Sequence, residues 1–178
     1  MKPELQSKFV RYLNFRKTDP GFTLVELLVV ILIIGILSTI AIPTLLNVTV
    51  KAKQTEAKQN IGLINKAQNS YRAENNNFGS SFDVLAIGTI NGGTSSTTTN
   101  YTYTLSATTD IATIGAAVRD TALKSYSGAV VRYTNSANMS VSGTTICETK
   151  VIGNTPNLPN TPVNTVPTCQ ATETKVGI

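Results

Sequence analysis

From Leu27 to Val50 the chain carries no Asp, Glu, Lys or Arg. A helix needs roughly 20 apolar residues to cross the hydrocarbon core of a bilayer. This run is long enough, and it begins directly behind one acid, Glu26. A carboxylate at the centre of a bilayer costs about 2.5–3.5 kcal/mol on insertion scales. Glu26 therefore needs an opposite charge, a place at the interface, or a helix N-terminus whose dipole favours an anion.

The words Gly21-Phe22-Thr23-Leu24-Val25-Glu26-Leu27-Leu28 resemble the start of type IV pilins and their relatives. In that family a dedicated peptidase cuts after the Gly and methylates the new amine. The resemblance implies a cut between Gly21 and Phe22, N-methylation of Phe22, and Glu26 as fifth residue of the mature chain. It also implies that Glu26 of one subunit neutralises the Phe22 amine of a neighbour during assembly. The reading without the resemblance is an uncut signal anchor whose acid sits at the interface.

Met1–Pro20 has no apolar core and no Ala-x-Ala site, so it is no ordinary secretory signal. Its five bases (Lys2, Lys8, Arg11, Arg16, Lys17) face only Glu4 and Asp19. They would hold this end on the cytoplasmic side and place the C-terminus outside. A Lys or Arg usually precedes the family's Gly; here Pro20 does. Loss of residues 1–21 lowers the net charge from +5 to about +2. The pI of 9.3 thus describes mainly the leader and is weak support for nucleic-acid binding.

Leu27–Ile42 is apolar all round, which suits lipid or a packed fibre core. Pro43 lacks an N–H and should cost the helix its bond to Thr39. In the family, the helix between a Gly and a Pro at such positions loosens on filament packing, so Gly35 and Pro43 mark the expected flexible stretch. A kink tolerated within the membrane is the alternative.

Past Lys51 and Lys53 the pattern becomes amphipathic. Ala57, Ile61, Ile64, Ala67 and Tyr71 fall on one helical face, with Lys53, Glu56, Asn60, Lys66 and Asn69 largely away from it. One helix from about Thr23 to Asn75 would measure about 80 Å at roughly 1.5 Å per residue. Its first half would project and its second half would carry the head. Asn75-Asn76-Asn77 and Gly79 stop it. Lys51, Lys53, Lys58 and Lys66 read as a solvated face rather than a DNA strip, because no aromatic platform is interleaved with them.

About 100 residues remain for one small head. Gly79–Asn100, rich in Gly, Ser and Thr, reads as an irregular connection with little to bury. Tyr101–Ser106 and Ala129–Thr134 read as strands. Met139–Val141 and Thr144–Lys150 are expected to form a hairpin around Gly143, and the Ala-rich Ala112–Lys124 to include a helical turn. Ile61, Ile64, Tyr71, Tyr101, Tyr103, Val130 and Tyr133 are expected at the junction of helix and sheet. Asn154–Pro167 holds four prolines and can be neither central strand nor helix. Cys147 and Cys169 bracket it. In an exported domain an even count reads as one disulfide; two free buried thiols are the alternative. A disulfide-bounded C-terminal region also resembles that of many pilins.

The fold expected is therefore α+β: a long N-terminal helix, transmembrane in its first half, packed in its second half on a small antiparallel sheet. The divisions are 1–21 leader, 22–50 membrane and filament-core helix, 51–77 amphipathic helix, 78–100 connecting loop, and 101–178 head. With no His in the chain, Ser-His-Asp triads, Cys-His pairs and His-based zinc sites are excluded. No catalytic residue, metal site or cofactor is expected. The acids after Asp83 (Asp110, Asp120, Glu148, Glu173) are scattered rather than clustered as calcium ligands would be. Asn47, Asn100 and Asn138 begin Asn-x-Ser/Thr words, and Thr94–Thr99 could carry O-linked sugar.

The resemblance implies a structural subunit of a type IV pilus, serving adhesion, twitching motility and DNA uptake. Its partners would be other pilin subunits, the prepilin peptidase and methylase, the inner-membrane pilus assembly machinery, and the inner membrane before assembly. The alternatives are a type II secretion pseudopilin and a single-span anchored binding protein. Lys51–Gln59 with Tyr126-Ser127-Gly128 resembles pilins of cyanobacteria.

Overall fold

The computed structural model describes residues 21–88, 90, 92–162 and 165–177. The leader's bases and acids lie outside the described residues. Helix α1 spans Leu24–Asn75. The strands are β1 (Ser95–Thr97), β2 (Tyr101–Ala107), β3 (Ile111–Val118), β4 (Tyr126–Thr134), β5 (Ser140–Thr149) and β6 (Glu173–Lys175). The chain divides into two compact units at Leu46/Asn47.

In the first unit α1 runs unbroken through Gly35 and Pro43. It is long and apolar enough to cross a membrane, and the most apolar window, with a mean hydropathy of 2.8, is not buried at all. The large apolar side chains from Phe22 to Val48 are 46–79% exposed. So much contiguous apolar surface must be covered by lipid or by protein.

In the second unit six antiparallel strands form a plain meander, each pairing with its neighbour in sequence. Side chains alternate between the faces of a strand. Tyr101, Tyr103 and Leu105 of β2, Ile114 and Ala116 of β3, Tyr126 of β4 and Ile146 of β5 form one core with Ala57, Ile61 and Ile64 of α1. The helix can lie this close because β4 has Gly128 beneath it. A Cβ there would sit 2.4 Å from Ile61 Cγ2.

The opposite face is covered by the proline-rich tail. A Cβ on Gly115 would meet Pro156 and Leu158, and one on Gly143 would meet Pro167 and Val166. Cys147 and Cys169 are disulfide-bonded, with Cα atoms 5.6 Å apart. Asn160 and Thr168 exchange backbone hydrogen bonds in both directions, at 2.8 and 3.0 Å.

Four sequence expectations are corrected. Ala112–Lys124 contains no helical turn: Ile111–Val118 is a central strand. Its Ala and Gly residues reflect close cover on both faces rather than helix propensity. The hairpin around Gly143 does not form, because Ser140–Thr149 is one continuous strand and the reversal falls between β4 and β5. Gly79–Asn100 is not poor in burial. Phe82, Leu85 and Ile90 enter the core, and Ser95–Thr97 adds an edge strand. Tyr133 is not at the helix junction. It pairs with Val141 one step out of phase with Gly128, so it faces the tail beside Gly143 and Pro167.

Candidate functional site

The N-terminus of α1 is a capping box, the Thr-x-x-Glu arrangement in which two residues satisfy each other's orphan backbone groups. Glu26 N–H donates to Thr23 Oγ1 at 3.2 Å. In return Glu26 Oε2 accepts from the Thr23 N–H at 2.8 Å and from its hydroxyl at 2.7 Å. The carboxylate is thus already held within its own chain, by a pattern readable as Thr23 and Glu26 three residues apart. Gly21 and Phe22 precede the helix, exposed and outside any regular element.

In the second unit, polar groups tie α1 to the sheet. Glu56 accepts from Thr98 Oγ1 at 2.7 Å and from Asn100 Nδ2 at 2.6 Å. Asn60, expected to face away, is buried and donates to the Tyr103 hydroxyl at 2.9 Å. Asn65 donates to the Thr145 carbonyl at 3.3 Å. Gln68 and the backbone of Gly79 exchange two bonds of 2.8 Å, turning the chain back against the helix. Asn76 closes the helix in the left-handed region, at φ 57°, which Asn tolerates better than most residues.

Glu148 is the charged centre of this junction. It accepts from Lys124 at 2.6 Å and from the Tyr126 hydroxyl at 3.0 Å, and it pairs with Lys58 of the helix at 3.2 Å. Burial pushes its carboxyl up. Hydrogen bonds from Lys124, Tyr126 and Lys58 outweigh that and hold it below the ordinary carboxylate range. Lys58 also lies 5.4 Å over the Tyr126 ring. Tyr126 in turn stacks edge-on to Tyr101, with centroids 6.3 Å apart. Burial raises the hydroxyls of Tyr101 and Tyr126 and pushes Tyr103 up to about 12, so all three are neutral at physiological pH. Lys53 approaches Asp120 at 3.9 Å. The lysine face is therefore partly neutralised within the chain.

Under the tail, the Glu173 carboxyl is raised by burial, against the opposing pull of the Asn157 N–H and the Ser127 hydroxyl. Those donors lie at 2.9 and 3.3 Å.

The chain matches two family profiles. One, the prokaryotic N-terminal methylation motif, covers residues 16–42. The other, described as type IV pilin-like G and H, covers residues 54–172. The chain belongs to the type IV pilin family. It is 41% identical over 69 residues to the type IV major pilin protein PilA of Myxococcus xanthus, covering 39% of this chain and 31% of that one. It is 38% identical over 85 residues to the type IV wide pilus major component PilA4 of Thermus thermophilus, covering 48% and 62%. The type II secretion system core protein G of Aeromonas hydrophila is 36% identical over 63 residues, covering 35% and 44%. The matched stretch thus spans less than two thirds of each of these relatives. No solved structure matches the chain significantly.

Two features of this pilin were missed in the sequence. The capping box was legible as Thr23-x-x-Glu26. The buried Asn60, Asn65 and Gln68 were visible only as polar residues at helical spacing within the apolar stripe.

Proposed function

We propose that this pilin is a structural subunit of a type IV pilus. One observation carries the proposal: a methylation motif heads an apolar helix that continues, without a break, into a pilin-family domain. In this reading residues 1–21 are the leader, removed between Gly21 and Phe22. Residues 22–50 anchor the precursor in the inner membrane as a single span, C-terminus outside, and later form the filament core. Residues 51–77 carry the head (101–178) through the connection at 78–100.

Cleavage and methylation leave a cationic amine on Phe22. The precursor's Glu26 is held by Thr23 through neutral donors. A hydrogen bond to a charged donor is about twice as strong as a neutral one. The Phe22 amine of a neighbouring subunit would therefore displace the Thr23 hydroxyl and register one subunit against the next. Gly35 and Pro43 are where the helix would loosen on packing. The partners are copies of the same chain, the prepilin peptidase and the inner-membrane assembly machinery, and the task is assembly rather than catalysis. Adhesion, twitching and DNA uptake would be properties of the filament.

The likeness to type II secretion core protein G favours a second reading, a pseudopilin. Intact mass and N-terminal sequencing of fibres sheared from cells separate the two. Methylated Phe22 as the first residue of sheared fibres supports the pilus. A processed chain confined to membranes supports the pseudopilin. A chain that keeps residues 1–21 in both fractions refutes both and leaves an anchored binding protein.

A further inference from the structure

Val50 closes the stretch without charge that begins at Leu27, and its half-buried side chain already packs against the core of the head. Ala57, the first fully buried residue of the helix, follows about 10 Å further along the axis at roughly 1.5 Å per residue. A chain whose uncharged run crosses a bilayer therefore has no linker between membrane and head. One end of the head must lie at the headgroups.

The contacts of α1 with β5 identify that end. In order along the helix, Lys58 pairs with Glu148, Asn65 donates to the Thr145 carbonyl, and Arg72 donates to Ser142 and Ser140. The end of β5 at Thr149 thus lies where the helix enters, and the β4–β5 turn at residues 135–139 lies at the far end. Two connections meet at the entry end, residues 119–125 between β3 and β4 and residues 150–153 after β5. The Gly153 N–H donates to the Leu123 carbonyl at 2.8 Å, and Lys53 approaches Asp120 at 3.9 Å.

This end is apolar and basic at once. Val151 and Ile152, adjacent in the second connection, are 58% and 54% exposed. Residues 51–58, 119–124 and 148–153 hold six bases against three acids. Glu148 is taken by Lys58 and Lys124, and Asp120 by Lys53. Among the described residues, Lys51, Arg119 and Lys150 make no ion pair. Arg119 donates to the Thr98 carbonyl at 2.9 Å and Lys150 to the Ala171 carbonyl at 2.7 Å, which leaves each with further N–H groups for another acceptor. We infer that this end of the head docks on an anionic lipid surface. Val151 and Ile152 enter the headgroup region, and Arg119 and Lys150 bond lipid phosphates. Apolar burial at the acyl boundary and attraction to anionic lipid add together at such a surface. The docking rests on the reading of residues 22–50 as a membrane span.

The test uses the full chain in nanodiscs of phosphatidylcholine, alone or mixed with phosphatidylglycerol. Amide exchange is followed in residues 149–153 and, as the far-end control, in residues 135–139. With phosphatidylglycerol, exchange should slow about fivefold or more in residues 149–153 and stay unchanged in the control. Val151→Ser with Ile152→Ser should abolish the slowing, and so should Arg119→Gln with Lys150→Gln; exchange along β4 checks that each variant is folded. Equal exchange in the two lipids, or slowing that survives either double substitution in a folded chain, would overturn the docking. Slowing that grows with the number of chains per disc would assign the turn to a second copy and overturn it too. Alkaline carbonate extraction of cell membranes tests the span separately. An extracted chain refutes the span and the docking together, whereas a resistant chain with equal exchange refutes the docking alone.

Discussion

Gly128→Ala should be the most informative single methyl that can be added to the head. The new Cβ would sit 2.4 Å from Ile61 Cγ2, with the Asn65 amide atoms at 3.4 and 3.5 Å. Ile61 is fully buried and β-branched, so it has little rotamer freedom with which to yield. Helix and sheet must separate locally, and overpacking of this kind costs about 1–3 kcal/mol. At roughly 2–8 °C per kcal/mol, thermal unfolding of the solubilised chain should shift down by at least about 2 °C. Near-ultraviolet circular dichroism suits the assay, because Tyr101, Tyr103 and Tyr126 lie in the same core. Ile61→Ala alone should cost about 2–5 kcal/mol through the cavity it leaves. The double variant should cost less than the two singles together, because the added methyl then enters vacated space. Strict additivity, or an unchanged melting temperature for Gly128→Ala, would refute close packing of α1 over β4.

Four further outcomes follow from the junction, the tail and the helix head. The folded pKa of Glu148 is depressed, so its stabilisation is present above the unfolded carboxylate range and is lost as pH falls through the folded value. Melting temperature should therefore drop between pH 7 and pH 3, and Glu148→Gln should flatten that slope; an equal slope in the variant would contradict the assignment. Glu173 has the opposite sign: its raised pKa favours the head while protonated and costs stability as pH rises, so Glu173→Gln should not lower the melting temperature at pH 7. Reduction of Cys147–Cys169, 22 residues apart, should cost about 3 kcal/mol in the chain-entropy model and speed amide exchange in the tail and along β6; equal exchange rates would show that the tail holds without the bond. Glu26→Ala should insert into the membrane normally yet yield no filaments, and parental amounts of sheared fibre would rule out pairing with the Phe22 amine.

The helix was legible because its signals are long: a stretch without charge, then apolar residues at steps of three and four. The strands that could be read, Tyr101–Ser106 and within Ala129–Thr134, are those with consecutive β-branched and aromatic residues. Ile111–Val118 was misread because Ala and Gly carry the period of neither element, and packing chose the strand. The edge strands Ser95–Thr97 and Glu173–Lys175 are three polar residues each and owe their conformation to the neighbouring strand. At the helix head the charge of Glu26 stands out within an apolar span, whereas its partnership with Thr23 shows in the sequence only as a three-residue spacing. The buried Asn60 reads as solvent-facing because its polarity hides the Tyr103 hydroxyl that satisfies it, and nothing in the sequence marks Asn65 or Gln68 as buried.

The three strand glycines explain why this head resists reading by hydrophobic alternation. A sheet covered on one face alternates apolar with polar. Here Gly128 admits the helix and Gly143 admits the tail on the other face, while Gly115 lies under the tail and leaves room for Thr104 Oγ1 of β2. Residues 126–131 of β4 are consequently buried on both faces. The tail that covers the second face cannot form a ladder of its own, since its prolines lack the N–H groups a strand would donate. It needs a covalent tie and specific side-chain bonds: Cys169 to Cys147, Ser125 Oγ to the Asn154 carbonyl at 2.5 Å, and Glu173 to the Asn157 N–H. Glycine in the sheet, proline in the cover and one disulfide between them are thus parts of one solution. A chain with few large apolar residues to spare in its head gains a second core face by letting an irregular segment lie close.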